Sequence, residues 1–336
     1  MMSSAAICNA IRWLSIIGIG EDGTEGLSPT ARRLIAAAKL VVGGARHLDL
    51  AQALITGERL VWPSPLHQAF DLIAARCGEP VVVLASGDPF NYGVGKQLAE
   101  RFLPDEMVCL PQPSAFSLAA ARMGWPLQDT TQISLHGRAL ESVIRHLAPG
   151  ARILALCWDG TTPAKLAALL TARGMGGSRL TVLEAMGGPK ERVRGATAAA
   201  FDLQHIDALT TLAIDVVAES DALMISLSPG LADDLFEHDG QLTKREIRAV
   251  TLSALAPRPG ELLWDVGLGA GSVAIEWLLR HGSLRAVGVE ARQDRADRAA
   301  RNAIALGAPD LKIVVGEAPA AFAGLEAPDA VFIGGG

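Results

Sequence analysis

Short apolar runs alternate with alanine-rich stretches along this 336-residue chain, and that alternation sets the expected fold. Runs rich in β-branched residues predict strands at Leu14–Ile17, Leu40–Val42, Val81–Ala85, Arg152–Leu156, Leu180–Leu183 and Leu223–Ser226. Between them, stretches such as Pro29–Ala38 and Pro163–Ala172 repeat apolar residues three and four positions apart and open on Ser, Thr or Pro, as helix starts do. Such alternation predicts an α/β fold on mostly parallel sheet. The pattern breaks at Ser228–Gly240, SPGLADDLFEHDG, which is polar and acidic. It then restarts with a helix at Thr243–Leu255, a strand at Leu262–Val266, a helix at Ser272–Arg280, a strand at Ala286–Val289 and a helix around Arg292–Leu306. Strands at Lys312–Val315 and Ala330–Ile333 follow. Two domains are therefore expected, 1–235 and 236–336.

Composition narrows the classes. With 50% apolar and 20% charged residues, neither a disordered nor a fibrous chain is expected. The net charge of −6 disfavours a nucleic-acid partner. Neither part is basic: 19 basic residues meet 23 acidic ones before position 236, and 11 meet 13 after it. Arginine outnumbers lysine 24 to 6, so anion recognition would rely on forked guanidinium contacts. Cys8, Cys77, Cys109 and Cys157 form no CxxC pair; they read as reduced thiols of a cytoplasmic protein, and no metal site is expected. No apolar run reaches the roughly 18 residues of a membrane helix, and the first twenty residues lack the basic start of a signal peptide.

The most specific signal is WDVGLGAGSVAIE, Trp264–Glu276. A strand ends in Asp265, the turn carries Gly267, Leu268, Gly269, Ala270 and Gly271, and a helix opens. Glycines suit a tight turn that lets backbone approach a nucleotide-like ligand. Nineteen residues after Gly271, at the next strand end, Glu290 is placed to accept both hydroxyls of an adenosine ribose. Dinucleotides favour GxGxxG. The GxGxG spacing here suits S-adenosylmethionine, whose ammonium Asp265 would help to hold. A nicotinamide-dependent oxidoreductase using the same loop is the rival reading.

The run GQLTKREIRAVTLSALAPRPGELLWDVGLGAGSVAIEW, Gly240–Trp277, resembles the start of the decarboxylating precorrin methyltransferase domain of cobalamin synthesis. That resemblance implies cofactor contacts at Thr243, along Gly267–Gly271, at Glu290 and at Ala318 within GEAP. Thr243 also reads as a helix cap, with Glu246 completing a capping box.

In the first part, LSIIGIGEDG (Leu14–Gly23) is joined by SGDPFNYG (Ser86–Gly93), PQPSAFSLAAARMGWP (Pro111–Pro126), SLHGR (Ser134–Arg138) and EAMGGPKERVRGAT (Glu184–Thr197). In this order they resemble the tetrapyrrole methylase family, and SLHGR resembles its precorrin-6Y branch. The resemblance implies two α/β lobes with S-adenosylmethionine between them, contacted by Gly18, Gly20, Gly87, Asp88 and Ser114. Many relatives carry glycine before the serine turn, where this chain has Pro111–Gln112–Pro113. Asp88 alternatively caps a turn. His136 and Arg138 are candidates for substrate carboxylates, as are Arg245 and Arg248. Glu184 and Lys190–Glu191 read as a surface charge cluster.

Taken together, the chain resembles the fused precorrin-6Y methyltransferases (decarboxylating). The likeness implies one S-adenosylmethionine per domain and a precorrin substrate methylated at carbons 5 and 15, with loss of carbon dioxide from the ring C acetate. A homo-oligomer is expected. The second domain is expected to be an incomplete Rossmann-like unit, because family members carry three further strands. Ala330–Ile333 would then be an exposed apolar edge, and carbon 15 methylation and decarboxylation would be lost. Other readings are a single-site enzyme with an inactive second domain, a tetrapyrrole carrier and a ribosomal-RNA methyltransferase.

Overall fold

The computed structural model describes residues 12–334, so the readings at the N-terminus, at Cys8 and at Gly335–Gly336 lie outside the described residues. The chain begins with β1 (Leu14–Ile19), whose six residues are all buried. Next come α1 (Pro29–Ala37), β2 (Leu40–Gly43), α2 (Ala45–Leu50), β3 (Glu58–Val61), α3 (His67–Ala74), β4 (Val81–Ser86), α4 (Gly95–Arg101) and β5 (Met107–Leu110). The hydroxyl of Ser28 accepts from the Ala31 amide at 3.2 Å to start α1, and Pro29 occupies the first turn, where no amide hydrogen is needed. The five strands form a parallel sheet in the order β3-β2-β4-β1-β5. Ile19 pairs with Ser86, which brings the carboxyl ends of the central strands β1 and β4 together.

The second lobe contains α5 (Ala115–Met123), β6 (Thr131–Ser134), β7 (Arg152–Leu156), α6 (Thr162–Ala172), β8 (Arg179–Glu184), β9 (Arg192–Thr197) and β10 (Thr210–Asp215). Its sheet order is β6-β7-β10-β8-β9, and only β6 and β7 run parallel. This corrects the expectation of mostly parallel sheet for that lobe. No strand forms at Leu223–Ser226. Ile225 is buried there, but Leu223 and Met224 are exposed, and the position between β7 and β8 belongs to β10.

The last part holds α7 (Arg245–Leu255), β11 (Leu262–Val266), α8 (Ser272–Arg280), β12 (Arg285–Glu290), α9 (Gln293–Ala305), β13 (Lys312–Val315) and β14 (Ala330–Ile333). These strands form a parallel sheet, β13-β12-β11-β14. Among the described residues β14 is an edge strand, with Ile333 75% exposed.

The second lobe and this last sheet share one hydrophobic core, in which Val143, Ile144 and Leu147 join Trp277, Leu279 and Leu306. The Arg145 guanidinium donates to the carbonyls of Leu278 and Leu279 at 3.3 and 2.8 Å, and Arg173 donates to that of Ala305 at 3.1 Å. The last carbonyls of α8 and α9, which have no partners within their own helices, are thus met by cations from another lobe.

The polar stretch around Ser228–Gly240 is a fixed strap. Its Gly230 and Leu231 amides donate to Glu276, Asp239 pairs with Arg295 and Arg298, and Glu237 pairs with Arg301. The reduced-thiol reading is corrected at Cys77, which is disulfide-bonded; Cys109 and Cys157 are free. Among the described residues no helix is long and apolar enough to cross a membrane.

Candidate functional site

A cavity of about 1220 Å³ lies between the two N-terminal lobes, at the carboxyl ends of β1 and β4. Gly20, Gly87, Asp88, Ser114, His136 and Arg138 all line it. Gly18 has a different task. A Cβ there would lie 1.8 Å from the Gly87 carbonyl oxygen, so this glycine lets β1 meet the turn after β4. Gly87 has φ +52, and a Cβ would stand 2.7 Å from the Pro113 carbonyl. The Asp88 carboxylate accepts from the Phe90 amide at 2.9 Å, which is the turn-capping role. Ser114 caps α5 by accepting from the Ser117 amide at 3.1 Å.

The cavity also carries aromatic surface that the motifs did not single out. Trp158 stacks on His136 with ring centroids 5.3 Å apart, and the Arg138 guanidinium lies 5.6 Å from the Tyr92 ring centre. Tyr92 occupies the left-handed region with φ 57°, a conformation costing a non-glycine residue about 1–2 kcal/mol. Its hydroxyl donates to the Gln132 carbonyl at 3.3 Å, and its ring meets Phe116 edge-on. Strain held in this way is common where a side chain serves a site.

Glu21, Arg46 and His47 complete the wall, and they too escaped the sequence reading. Arg46 is ion-paired with Glu21. His47 Nε2 lies 2.8 Å from the Ser86 hydroxyl and 2.9 Å from Arg46 Nη2. Burial, helped by the neighbouring Arg46 charge, pulls the His47 imidazole down to about 4, so it is neutral near pH 7. The turn after β8 closes on this wall: a Cβ on Gly188 would lie 2.5 Å from that of Glu21.

Glu184 is not part of a surface cluster. It is 1% exposed and held by Arg192 and Arg194 of β9, and it accepts from the Asp207 amide at 2.8 Å. Burial would raise its pKa, but hydrogen bonds from Arg192 and Asp207 and the arginine charges hold the carboxyl below its ordinary value. The segment that brings Asp207 to the cavity rests on this ion pair. Glu191 pairs with Arg122 at 2.5 Å, so it too is engaged.

In the last domain the glycine turn joins β11 to α8. Gly267, Gly269 and Gly271 all have positive φ, yet their surroundings differ. A Cβ on Gly267 would lie 2.2 Å from the Gly334 carbonyl, and one on Gly271 would press against Ala299 of α9 at 3.2 Å. Gly269 alone faces open space, its nearest neighbour being the Gly267 carbonyl at 3.9 Å. Leu268 packs over Gly288 of β12, and the Ala270 carbonyl accepts from Asn302 at 2.9 Å. Glu290 accepts from the Gly269 amide at 2.8 Å and from the Arg292 amide at 3.1 Å.

Asp265 is completely enclosed. One carboxyl oxygen accepts from the Ala274 amide at 3.1 Å, and the other, Oδ1, has no hydrogen-bond partner. Burial pushes this carboxyl up to about 8; the Ala274 amide opposes the rise, and the Glu290 charge adds to it. Ala318 is exposed beyond β13, and Gly316 of that turn donates to the Glu290 carbonyl at 2.9 Å.

Two expectations at the start of α7 are corrected. Lys244, not Thr243, occupies the cap position, and no side chain closes a capping box there. Arg248 is 0% exposed and cannot reach a substrate. Its guanidinium donates to Glu276 at 2.5 Å, to Asp233 at 3.1 Å and to the carbonyls of Thr243 and Leu231. Arg245 is exposed.

Both parts of the chain are similar to known proteins. Residues 14–202 match the family of tetrapyrrole (corrin/porphyrin) methylases, and residues 234–336 match the precorrin methyltransferase domain. A precorrin-6Y C(5,15)-methyltransferase (decarboxylating) of Sinorhizobium sp is 57% identical over 324 residues, covering 96% of this chain and 78% of that protein. Its namesake in Mycobacterium tuberculosis is 39% identical over 325 residues, covering 96% and 80%. The crystal structure of the C-terminal domain of precorrin-6Y C5,15-methyltransferase from Rhodobacter capsulatus is 51% identical, covering 33% of this chain and 60% of that one with a TM-score of 0.32. With its tetrapyrrole methylase and precorrin methyltransferase domains in sequence, the chain belongs to the precorrin-6Y C(5,15)-methyltransferase (decarboxylating) family of S-adenosylmethionine-dependent enzymes.

Proposed function

We propose that this chain methylates carbons 5 and 15 of a reduced precorrin and removes carbon dioxide from its ring C acetate, using one S-adenosylmethionine in each domain. Carbon 5 falls to residues 1–235, and carbon 15 with decarboxylation to residues 236–336. That reading carries with it the cytoplasmic, homo-oligomeric enzyme expected from the family resemblance. The observation that carries it is the arrangement around Gly269. An open left-handed glycine stands between Glu290, a carboxylate at the next strand end, and Asp265, a buried carboxyl with one orphaned oxygen.

These residues fit the cofactor. Glu290 has lone pairs left after accepting from two amides, enough for ribose hydroxyls, and Asp265 offers the unmet acceptor that an ammonium requires. In the first domain Gly20, Gly87 and Ser114 border a cavity with room for a nucleoside and a flat macrocycle together. When bound, the cofactor supplies an electrophilic methyl group on sulfonium sulfur.

The chain contributes positioning. The Trp158–His136 and Tyr92–Arg138 pairs offer flat faces to a macrocycle, and Arg138 a forked donor to its carboxylates. At the second site Arg245, exposed at the start of α7, remains the candidate for that task. Held beside the bound cofactor, a meso carbon would take its methyl group from the sulfonium, and the conjugated system would give up a proton. Fixing that geometry and excluding water are the main effects available to the protein. The macrocycle takes up the electron pair left by carbon dioxide.

The test is incubation with the reduced precursor and methyl-labelled cofactor, followed by mass analysis. Two labelled methyl groups gained and one carbon dioxide lost is the product of the full reading. One methyl group gained with no carbon dioxide lost would instead bear out the expected loss of carbon 15 chemistry, and a nicotinamide-dependent change would overturn the reading. Calorimetry with S-adenosylhomocysteine should give a stoichiometry near two; a well-determined value of one would refute a site in each domain.

A further inference from the structure

Asn302 lies on α9, 2% exposed, in the middle of an otherwise small apolar face. Its amide nitrogen donates to the Ala270 carbonyl in the glycine turn at 2.9 Å and to the Glu237 carbonyl in the strap at 3.0 Å. Its amide oxygen accepts from the Glu237 amide at 2.8 Å. One buried side chain thus ties the turn to the strap and satisfies both backbone groups of Glu237. Such a network holds a single arrangement, because every polar group in it loses its partner if the side chain moves.

The far end of the strap is fixed in the same way. The Arg248–Glu276 pair is fully buried, Glu276 takes the Gly230 and Leu231 amides, and Arg248 takes the Leu231 and Thr243 carbonyls. Residues 230–243 are therefore anchored to α8 at one end, to the glycine turn through Asn302 in the middle, and to α7 at Thr243.

We propose that Asn302 and Arg248 are positioning residues for the second cofactor site, and that the strap is a built part of that site. Asn302 sets the height of the Ala270 carbonyl, and with it the direction in which the Gly269 amide and the open face of Gly269 point. Arg248 sets Thr243. Neither side chain touches the cofactor. The proposal rests on the reading of Gly267–Gly271 as a cofactor turn.

Hydrogen exchange of the full chain, with and without S-adenosylhomocysteine, separates the two ideas. Slowed exchange across 264–272 in the unaltered protein on adding the ligand is expected; its absence would count against the cofactor reading itself. In Asn302→Leu, ligand-free exchange across 264–272 and 235–243 should quicken together, and second-site affinity should fall about tenfold or more, the effect of losing the three hydrogen bonds of Asn302. First-site protection across 84–92 should be unchanged. Glu237→Ala, which keeps the backbone contacts to Asn302, should bind within about twofold of the unaltered chain. Arg248→Lys, which keeps the buried charge but loses the fork, supplies the same comparison if Asn302→Leu does not fold. A lowered melting temperature with second-site affinity intact in these variants would overturn the proposal.

Discussion

Glu290 and Gly269 are joined directly: the carboxylate at the end of β12 accepts the amide of the open glycine at 2.8 Å. The residue expected to hold a ribose therefore also shapes the turn beneath it. Glu290→Ala should lose both functions, with second-site affinity falling about ten- to a hundred-fold, as for charge-assisted hydrogen bonds worth about 1.5–3 kcal/mol. Carbon 5 methylation should persist. Titration with S-adenosylhomocysteine checks this, and unchanged second-site affinity would refute the role.

The three glycines of that turn should respond differently to alanine. Gly267→Ala meets the Gly334 carbonyl at 2.2 Å, so loss of fold in the last domain is expected. Gly269→Ala has room and bears only the left-handed backbone cost of about 1 kcal/mol, so it should fold but place a methyl group on the ligand face. Melting temperature and ligand affinity, measured side by side, separate the two.

Asp265 gives a pH dependence of definite sign. Its carboxyl is raised to about 8 in the folded chain, against about 4 in an unfolded one. The folded form then holds a proton that the unfolded form releases, so stability is full below about pH 4 and declines as pH rises towards 8. Asp265→Asn should flatten that decline in thermal melts. Binding an ammonium against the orphaned oxygen should expel the proton, so calorimetry at pH 7 in buffers of different ionisation enthalpy should detect proton release.

His47 titrates in the opposite sense. Its folded value, about 4, lies below the ordinary 6.5, so the unfolded chain takes up a proton first. Stability of the first domain should fall as pH drops from about 6.5 to 4, and His47→Gln should weaken this dependence. Equal acid sensitivity in both proteins would show that His47 is not its source.

Much of this was legible in the residues, for reasons that can be named. The order of strand, glycine turn, helix and acidic strand end is local, so Asp265, Gly269 and Glu290 could be read together. Gly18 and Gly267 each fit the glycine motif of their own domain, yet their space is filled by the chain's own backbone, a tertiary fact that spacing does not encode. Arg248 reads as a candidate for substrate carboxylates because the partner that buries it stands 28 positions away. The usable clue was Glu276, the lone carboxylate in SVAIEWLLR, which required a buried cation. Arg46 and His47 had no comparable signal. They sit in a six-residue helix and gain meaning only where β4 brings Ser86 beside them.

Arg145 and Arg173 complete helices that belong to a different fold from their own. Without that lobe, α8 and α9 would end on bare carbonyls, and Ile144 would leave a gap against Gly307. Melting should accordingly be a joint event for the middle and last parts of the chain, with the first sheet free to unfold on its own schedule. Cleavage within residues 228–244 would not release an independent methyltransferase. The pieces would remain associated, each supplying surface the other needs to fold.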